Sequence, residues 1–188
     1  MIKAIIFDCF GVVLTDGLRE NYEFFGGNFE KDLPFIVSIM HEASTGRIES
    51  SVPGMAKKLS ISEAEWRKRN DDGHHINYEL LGYIKELREN YQVAMLSNIG
   101  KGGVGRYFKA GFLEKYFEVI VESGVIGYAK PEAQAYEITA DRLGVRLDEC
   151  VFTDDRPEYI DGATGVGMKT ILYKNLEQFK KDLEAILA

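Results

Sequence analysis

Four short stretches of the chain carry polar side chains whose types and spacing could act together on a phosphorylated substrate. A carboxylate ends an apolar run at Asp8, and a hydroxyl and an amide end a second run at Ser97-Asn98. Lys130 stands before a proline, and two acids end a further apolar run at Asp154-Asp155. Taken singly, each has a structural explanation, because Asp, Ser and Asn often cap helices and turns. Together, in this order, they predict a phosphate site.

The chemistry expected of such a site is attack by one carboxylate on phosphorus. A second group of carboxylates would hold Mg²⁺, while the hydroxyl, nearby N-H groups and the lysine would neutralise the phosphoryl oxygens. The cation is also needed on electrostatic grounds, because several acids gathered in one place could not all stay ionised without it. The residues therefore predict a magnesium-dependent hydrolase whose partner is a small-molecule phosphate ester.

Five apolar runs rich in Ile, Val and Phe predict the strands that must position these groups. The runs cover residues 2–8, 92–97, 117–122, 150–154 and 169–173. Because they are almost continuously apolar, they favour a parallel sheet that is covered on both faces. Segments with helical spacing alternate with the later strands. The predicted fold class is therefore α/β, with a doubly wound parallel sheet and a Rossmann-like core.

The region from about residue 16 to residue 77 breaks this alternation, because it contains no convincing strand pattern. One of its helical segments covers residues 33–43 and has Pro34 in its first turn, a position that tolerates proline. The aromatic residues of this region are expected to form its own small core rather than a substrate lid: Tyr22, Phe24, Phe25 and Trp66.

We predict that this region belongs to an inserted α-helical cap. The predicted core domain comprises residues 1–15 and 88–188, and the predicted cap domain comprises residues 16–87. A cap inserted after the strand of Asp8 would lie over the carboxyl ends of the strands, where ligands bind in such folds.

Composition limits the function classes further. The chain has 188 residues, of which 45% are hydrophobic, and this suits one globular unit or a core with a modest insertion. With 23 basic and 30 acidic residues the net charge is -7, so neither nucleic acid nor an anionic membrane is an expected partner. No long apolar window or signal cleavage site is visible, and this favours a cytoplasmic location. Cys9 and Cys150 lie in apolar runs and are expected to be reduced core thiols.

The motifs FDCFGVV, LSN, AKP and FTDDRPEY resemble those of the haloacid dehalogenase superfamily, on its phosphatase side, with a helical cap after the first motif. The resemblance implies that Asp8 is the nucleophile, that it forms an aspartyl-phosphate and that it also binds Mg²⁺. The carbonyl of Phe10 would be a second ligand. Asp155 would supply a further carboxylate ligand, with Asp154 either binding the metal or lying beside a ligand.

The resemblance also implies which groups hold the phosphoryl oxygens. Ser97, the backbone of Asn98 and Lys130 would take this role. All three lie in motifs that match by residue type, so each role is carried over position by position.

One departure from the family pattern concerns Phe10. Phosphatases of this superfamily usually carry a second Asp at this position, which protonates the leaving oxygen and then activates water. Such catalysis contributes ~10²–10⁴ in rate, so Phe10 predicts a slow enzyme, a good leaving group or a replacement acid. Asp16, His74 and His75 are the candidates for replacement, although the two histidines also fit an ordinary loop.

Two other functions remain open at this point. The dehalogenase branch shows an aromatic residue where Phe10 stands, but a halide-displacing site gains nothing from the acid pair Asp154-Asp155. A non-catalytic or regulatory member would bind a phosphorylated metabolite or a partner protein without turnover. Retention of all four site residues argues against this second alternative: Asp8, Ser97, Lys130 and Asp155.

Overall fold

Five strands form one central sheet in the computed structural model, which describes the side chains of residues 1–70 and 73–188. The strands are β1 (Ala4–Phe7), β2 (Gln92–Ser97), β3 (Val119–Glu122), β4 (Cys150–Asp154) and β5 (Lys169–Leu172). All neighbouring strands are parallel, in the spatial order β3-β2-β1-β4-β5. Each lies within one of the five apolar runs, so the predicted α/β fold with a doubly wound parallel sheet is confirmed.

Helices flank the sheet and fill the region between β1 and β2. They are α1 (Leu18–Phe24), α2 (Phe29–Ser44), α3 (Val52–Leu59), α4 (Glu63–Asp72), α5 (Tyr78–Leu87), α6 (Ser123–Ile126), α7 (Ala133–Leu143), α8 (Pro157–Gly165) and α9 (Leu176–Leu187). Within the described part of the chain, no helix is both long enough and apolar enough to cross a membrane.

The register of the sheet brings the predicted site residues to one edge. Phe7 of β1 pairs with Met95 of β2 on one side and with Thr153 of β4 on the other. The N-H of Asp8 donates to the carbonyl of Thr153 at 3.0 Å. Because the strands are parallel, the side chains that follow β1, β2 and β4 emerge at the same edge.

Apolar side chains on the two faces of the sheet form two separate core clusters. Ile5 and Phe7 point into one cluster, with α5 and α9, while Ala4 and Ile6 point into the other, with α7 and α8. This alternation follows the two-residue period of a strand. Cys9 and Cys150 are both buried and free, as expected. The packed layers hold the strand ends in fixed positions beneath the site.

Helices α1 to α4, which we call the insertion, have a hydrophobic cluster of their own. Tyr22 and Trp66 are fully buried in it, and Phe25 packs against it. Phe24 is an exception to the expected aromatic core, since it is 62% exposed. Its ring meets that of Phe25 edge to face, and the guanidinium of Arg69 lies over it. The insertion is thus held together without the sheet.

Helix α2 begins four residues earlier than its sequence pattern predicts. The predicted start at residue 33 was wrong, because the side chain of Asn28 accepts a hydrogen bond from the N-H of Lys31 and caps the helix at Phe29. Pro34 therefore lies inside the helix rather than in its first turn. The cap residue outweighs the start signal that proline gives.

Helix α5 packs on the sheet, although the predicted cap range 16–87 includes it. Leu80, Leu81 and Ile84 are buried in the same cluster as Ile5. The division into core and cap domains itself stays a prediction.

The chain enters and leaves the insertion through two adjacent segments. Leu14 forms an antiparallel bridge with Ile76, and the N-H of Thr15 donates to the carbonyl of His75 at 3.0 Å. The side-chain oxygen of Thr15 also accepts a hydrogen bond from the N-H of His75 at 2.9 Å. The segment that enters the insertion is therefore hydrogen-bonded to the segment that leaves it.

Candidate active site

A buried lysine joins two of the predicted acids at the sheet edge. The ammonium of Lys130 lies 2.5 Å from Oδ1 of Asp8 and 2.6 Å from Oδ2 of Asp154. Its side chain is fully buried, which excludes the surface-lysine interpretation. Burial alone would lower the pKa of Lys130, but the charges of Asp154 and Asp8 outweigh it and raise the pKa. The lysine therefore stays charged between the two carboxylates.

Asn98 determines where Lys130 stands. The side-chain amide of Asn98 donates to the carbonyl of Lys130 at 2.8 Å and accepts from its N-H at 2.8 Å. This pair of hydrogen bonds ties the loop after β2 to the loop before α7. The amide side chain of Asn98 thus has a positioning contact that the sequence did not indicate.

Asp155 completes a cluster of three carboxylates. One oxygen from each of Asp8, Asp154 and Asp155 lies within 4.8 Å of the others. Burial, opposed by Lys130 and reinforced by Asp154, raises the pKa of Asp8 to about 8. Burial, with Asp154 and Asp16 nearby, raises the pKa of Asp155 to about 6. One lysine is therefore too little positive charge for three ionised acids.

Three buried polar atoms at this edge have no hydrogen-bond partner among the described residues. They are Oγ of Ser97, Oγ1 of Thr153 and Oδ1 of Asp155. A buried polar atom without a partner costs free energy, on the order of 1–3 kcal/mol, unless a ligand satisfies it. Ser97 was predicted to contact phosphoryl oxygens, and its open hydroxyl fits that role. Thr153 was not among the site residues predicted from the sequence, although its position just before the acid pair could have indicated it.

Gly11 lets the turn after β1 approach the acid pair. Its φ is +88°, and a side chain there would bring Cβ within 2.3 Å of Oδ2 of Asp155. Only glycine fits both conditions. The glycine of the first motif is therefore a condition for the carboxylate cluster.

Tyr159 in α8 also supports Lys130. The ammonium lies 4.9 Å from the centroid of the Tyr159 ring, and the guanidinium of Arg156 lies 4.5 Å from the same ring. An aromatic face attracts cations through its quadrupole. Sequence reasoning missed Tyr159, and its only signal is an aromatic residue one turn after the acid pair.

The surroundings of Phe10 are aromatic. Its ring centroid lies 5.5 Å from that of His74 and 5.3 Å from that of Tyr107, and the latter two are 4.8 Å apart. Nδ1 of His74 lies 2.7 Å from the carbonyl of Thr15, so this nitrogen donates the hydrogen bond. Tyr107 was not identified from the sequence.

The candidates for the missing acid have different positions. Asp16 accepts a hydrogen bond from the N-H of Leu18 at 3.0 Å, and its charge acts on Asp155. His75 is exposed, and the structure shows it pairing with Thr15 through its backbone. His74 alone among these three contacts the ring of Phe10 within the described residues.

Comparison with known proteins agrees with this geometry. The model of the haloacid dehalogenase-like hydrolase family matches residues 2–167. The chain belongs to this family. As a haloacid dehalogenase-like hydrolase, it has the sheet, the strand-end acids and the lysine where the motifs placed them.

Curated relatives include several phosphatases. The putative phosphatase YhcW of Bacillus subtilis is 26% identical over 93% of this chain and 84% of its own length. Phosphatase MT3486 of Mycobacterium tuberculosis is 38% identical, over 32% of this chain. This chain spans only 28% of the length of that phosphatase. It also matches the bifunctional epoxide hydrolase 2 of Mus musculus, of which it spans only 13%.

Solved structures of the family share the fold. The HAD family enzyme BT-2542 of Bacteroides thetaiotaomicron, in complex with magnesium and inorganic phosphate, superposes with a TM-score of 0.74 at 25% identity, over 93% of this chain and 95% of that one. The L-2-haloacid dehalogenase of Xanthobacter autotrophicus superposes with a TM-score of 0.71 at 17% identity, over 98% of this chain and 83% of that one. The fold is therefore common to an enzyme that binds magnesium and phosphate and to a dehalogenase, so the fold alone does not distinguish the two functions.

Proposed function

We propose that this chain is a magnesium-dependent phosphatase, which hydrolyses a small phosphate ester through an aspartyl-phosphate on Asp8. The observation that carries the proposal is the cluster of three carboxylates against one buried ammonium. A buried site with this excess of negative charge needs a cation. The phosphatase names of the relatives and the magnesium and phosphate bound by BT-2542 support the same function.

The donor set fits Mg²⁺. Asp8, Asp154, Asp155 and the carbonyl of Phe10 offer only oxygen atoms, which this ion prefers. Oδ1 of Asp155 is buried without a partner among the described residues, so one ligand atom is still available. When bound, Mg²⁺ would neutralise charge on the phosphoryl oxygens.

The other parts of the reaction are assigned to residues of the chain. A carboxylate oxygen of Asp8 bonds to phosphorus while the bond from phosphorus to the ester oxygen breaks, and that electron pair leaves with the ester oxygen. Lys130 fixes the orientation of this carboxylate by holding Oδ1. The hydroxyl of Ser97 donates to a phosphoryl oxygen. The oxygen of a water molecule then bonds to the phosphorus of the aspartyl-phosphate as the bond from phosphorus to the Asp8 oxygen breaks. A proton of that water passes to solvent, and phosphate and the free carboxylate of Asp8 are released.

The test is a screen of phosphate esters with and without Mg²⁺, comparing the wild type with Asp8→Asn. The amide is nearly isosteric but is a poor nucleophile, so turnover should fall to background while the protein stays folded. Asp141→Asn, a change of an exposed acid on α7, is the matched control and should keep full activity. Metal-dependent turnover that survives in Asp8→Asn contradicts the proposal.

A 2-haloacid belongs in the same screen, because Phe10 favours the dehalogenase alternative. Halide release without Mg²⁺, together with inactivity on every phosphate ester, would replace the phosphatase proposal. Inactivity on both substrate classes, with phosphate still bound, would favour the non-catalytic alternative.

A further inference from the structure

We propose that Phe10, His74 and Tyr107 form a leaving-group subsite for the aromatic ring of an aryl phosphate. We call these three residues the aromatic subsite. The inference deepens the proposed phosphatase function and rests on it. It assigns a substrate class, the phosphate monoesters of phenols, to the site built around Asp8.

The three rings come from three separate segments of the chain. Phe10 lies in the turn after β1, Tyr107 lies in the loop after β2, and His74 lies in the segment that returns from the insertion. All three pairs of rings meet edge to face, with interplanar angles of 66°, 85° and 86°. This is a favourable arrangement for aromatic pairs. The subsite is thus assembled by the fold rather than by one local motif.

Its members are neither core nor fully solvated residues. Phe10, His74 and Tyr107 are each half-buried, so each residue keeps some accessible surface. The hydrogen bond from Nδ1 of His74 to the carbonyl of Thr15 fixes the imidazole ring. A fixed, partly exposed group of rings binds a planar ring at little entropic cost.

The subsite lies next to the reacting group. Phe10 is two residues from Asp8, so the two Cα atoms are at most ~7 Å apart by chain length. The next residue, Gly11, lies against Asp155. In-line displacement places the leaving oxygen on the side of phosphorus opposite Asp8, beyond the carboxyl end of β1. The turn that carries Phe10 follows that end directly, and His74 contacts the ring of Phe10 there.

The leaving-group chemistry points in the same direction. The side chain beside the nucleophile at Phe10 has no proton to give, so an alkoxide would leave without help from that position. A phenol is a stronger acid than an alcohol, so the P-O electron pair can depart on a phenolate oxygen, which solvent then protonates. The shape of the subsite and its lack of an acid at Phe10 therefore select the same substrate class.

The first test measures binding without turnover. Phenylphosphonate and propylphosphonate carry the same head group on a stable P-C bond and differ in the aromatic ring. Calorimetry with the wild type and Mg²⁺ should show phenylphosphonate binding about three- to tenfold more tightly. Equal affinities for the two compounds would refute the subsite.

Substitutions of single rings then test which residues cause the preference for phenylphosphonate. Phe10→Leu and Tyr107→Leu keep apolar volume but remove a ring, and each should reduce the preference for phenylphosphonate at least twofold. Tyr107→Phe keeps the ring and should retain the preference. Phe24→Leu, at an exposed aromatic residue of α1, is the control and should also retain it. If Phe10→Leu does not fold, Tyr107→Leu decides alone, and an unchanged preference there overturns the proposal.

Kinetics separate failure of the inference from failure of the phosphatase function. With substituted phenyl phosphates, log(kcat/KM) should fall steeply as the pKa of the phenol rises, and alkyl phosphates should be turned over much more slowly. Equal turnover of aryl and alkyl esters would leave the phosphatase function intact and refute the subsite. Inactivity on all esters, with phenylphosphonate still preferred, would refute the phosphatase function alone.

Discussion

The two halves of the site are built on different principles. At the sheet edge, Asp8, Asp154 and Lys130 are buried, ionisable and in direct contact. On the side of the insertion, Phe10 and His74 are half-buried rings that contact through their edges. The sheet edge therefore stabilises charge, while the aromatic side offers shape. Under the proposed function, the first half would determine the type of reaction and the second half the choice of substrate.

The largest expected effect comes from removing the cation of the charged half. Lys130→Met should lower stability by about 3–5 kcal/mol, because it leaves the carboxylates of Asp8 and Asp154 buried without their countercharge. Turnover should fall as well. Lys58→Ala, which breaks an ion pair of the insertion in which the lysine side chain is 40% exposed, should cost less than about 1 kcal/mol. Denaturant unfolding of both variants would test the contrast, and equal losses would contradict it.

Gly11→Ala should displace a carboxylate of the charged half without removing any charged group. The new Cβ would overlap Asp155, whose carboxylate must then move, so affinity for Mg²⁺ should fall at least tenfold. Gly111→Ala is a matched control, since its φ of +75° imposes similar backbone strain with no atom within 4 Å of the new Cβ. Both variants should lose stability, of the order of 1 kcal/mol from the backbone, and only Gly11→Ala should lose metal affinity. Calorimetric titration with Mg²⁺ measures the difference.

The charged half should also make stability depend on pH. The pKa values of Asp8 and Asp155 are raised to about 8 and about 6, so between pH 4 and 8 the native state binds more protons than the unfolded chain. This contribution to the free energy of unfolding therefore falls as pH rises through that window. Mg²⁺ favours the ionised acids, so it should raise Tm more at pH 8 than at pH 5. Asp155→Asn should reduce this difference, and a metal effect independent of pH would argue against the carboxylate ligands.

The smallest effect is expected in the insertion. Ser62 and Glu65 form a capping box at the start of α4, and Ser62→Ala removes the side-chain bond to the N-H of Glu65. The loss should be about 1 kcal/mol. Binding of phosphate and Mg²⁺ at the sheet edge should be unchanged. A change in either would show that α4 of the insertion is coupled to the sheet edge.

The sequence was most informative where one strand determines the position of a residue. A carboxylate at the end of an apolar run must emerge at the edge of a parallel sheet, so the placement of Asp8 and Asp154 could be predicted. The capped start of α2 could not, because Pro34 gave a competing signal. Tyr107 and Tyr159 were missed for a different reason. Each contacts residues distant in sequence, and such contacts have no local pattern.

The paired crossings at Leu14 and Ile76 limit how the insertion can move relative to the sheet. Two independent tethers would allow sliding, tilting and twisting, but a hydrogen-bonded two-stranded ribbon resists changes in its own length. The ribbon joins the segment of His74 to the chain that follows Phe10, so the two rings keep their relative position. The insertion meets the core at a second point as well, because Gly46, just after α2, lies against Gly124. With the ribbon at one end and this contact at the other, the insertion is attached to the core at two separate places.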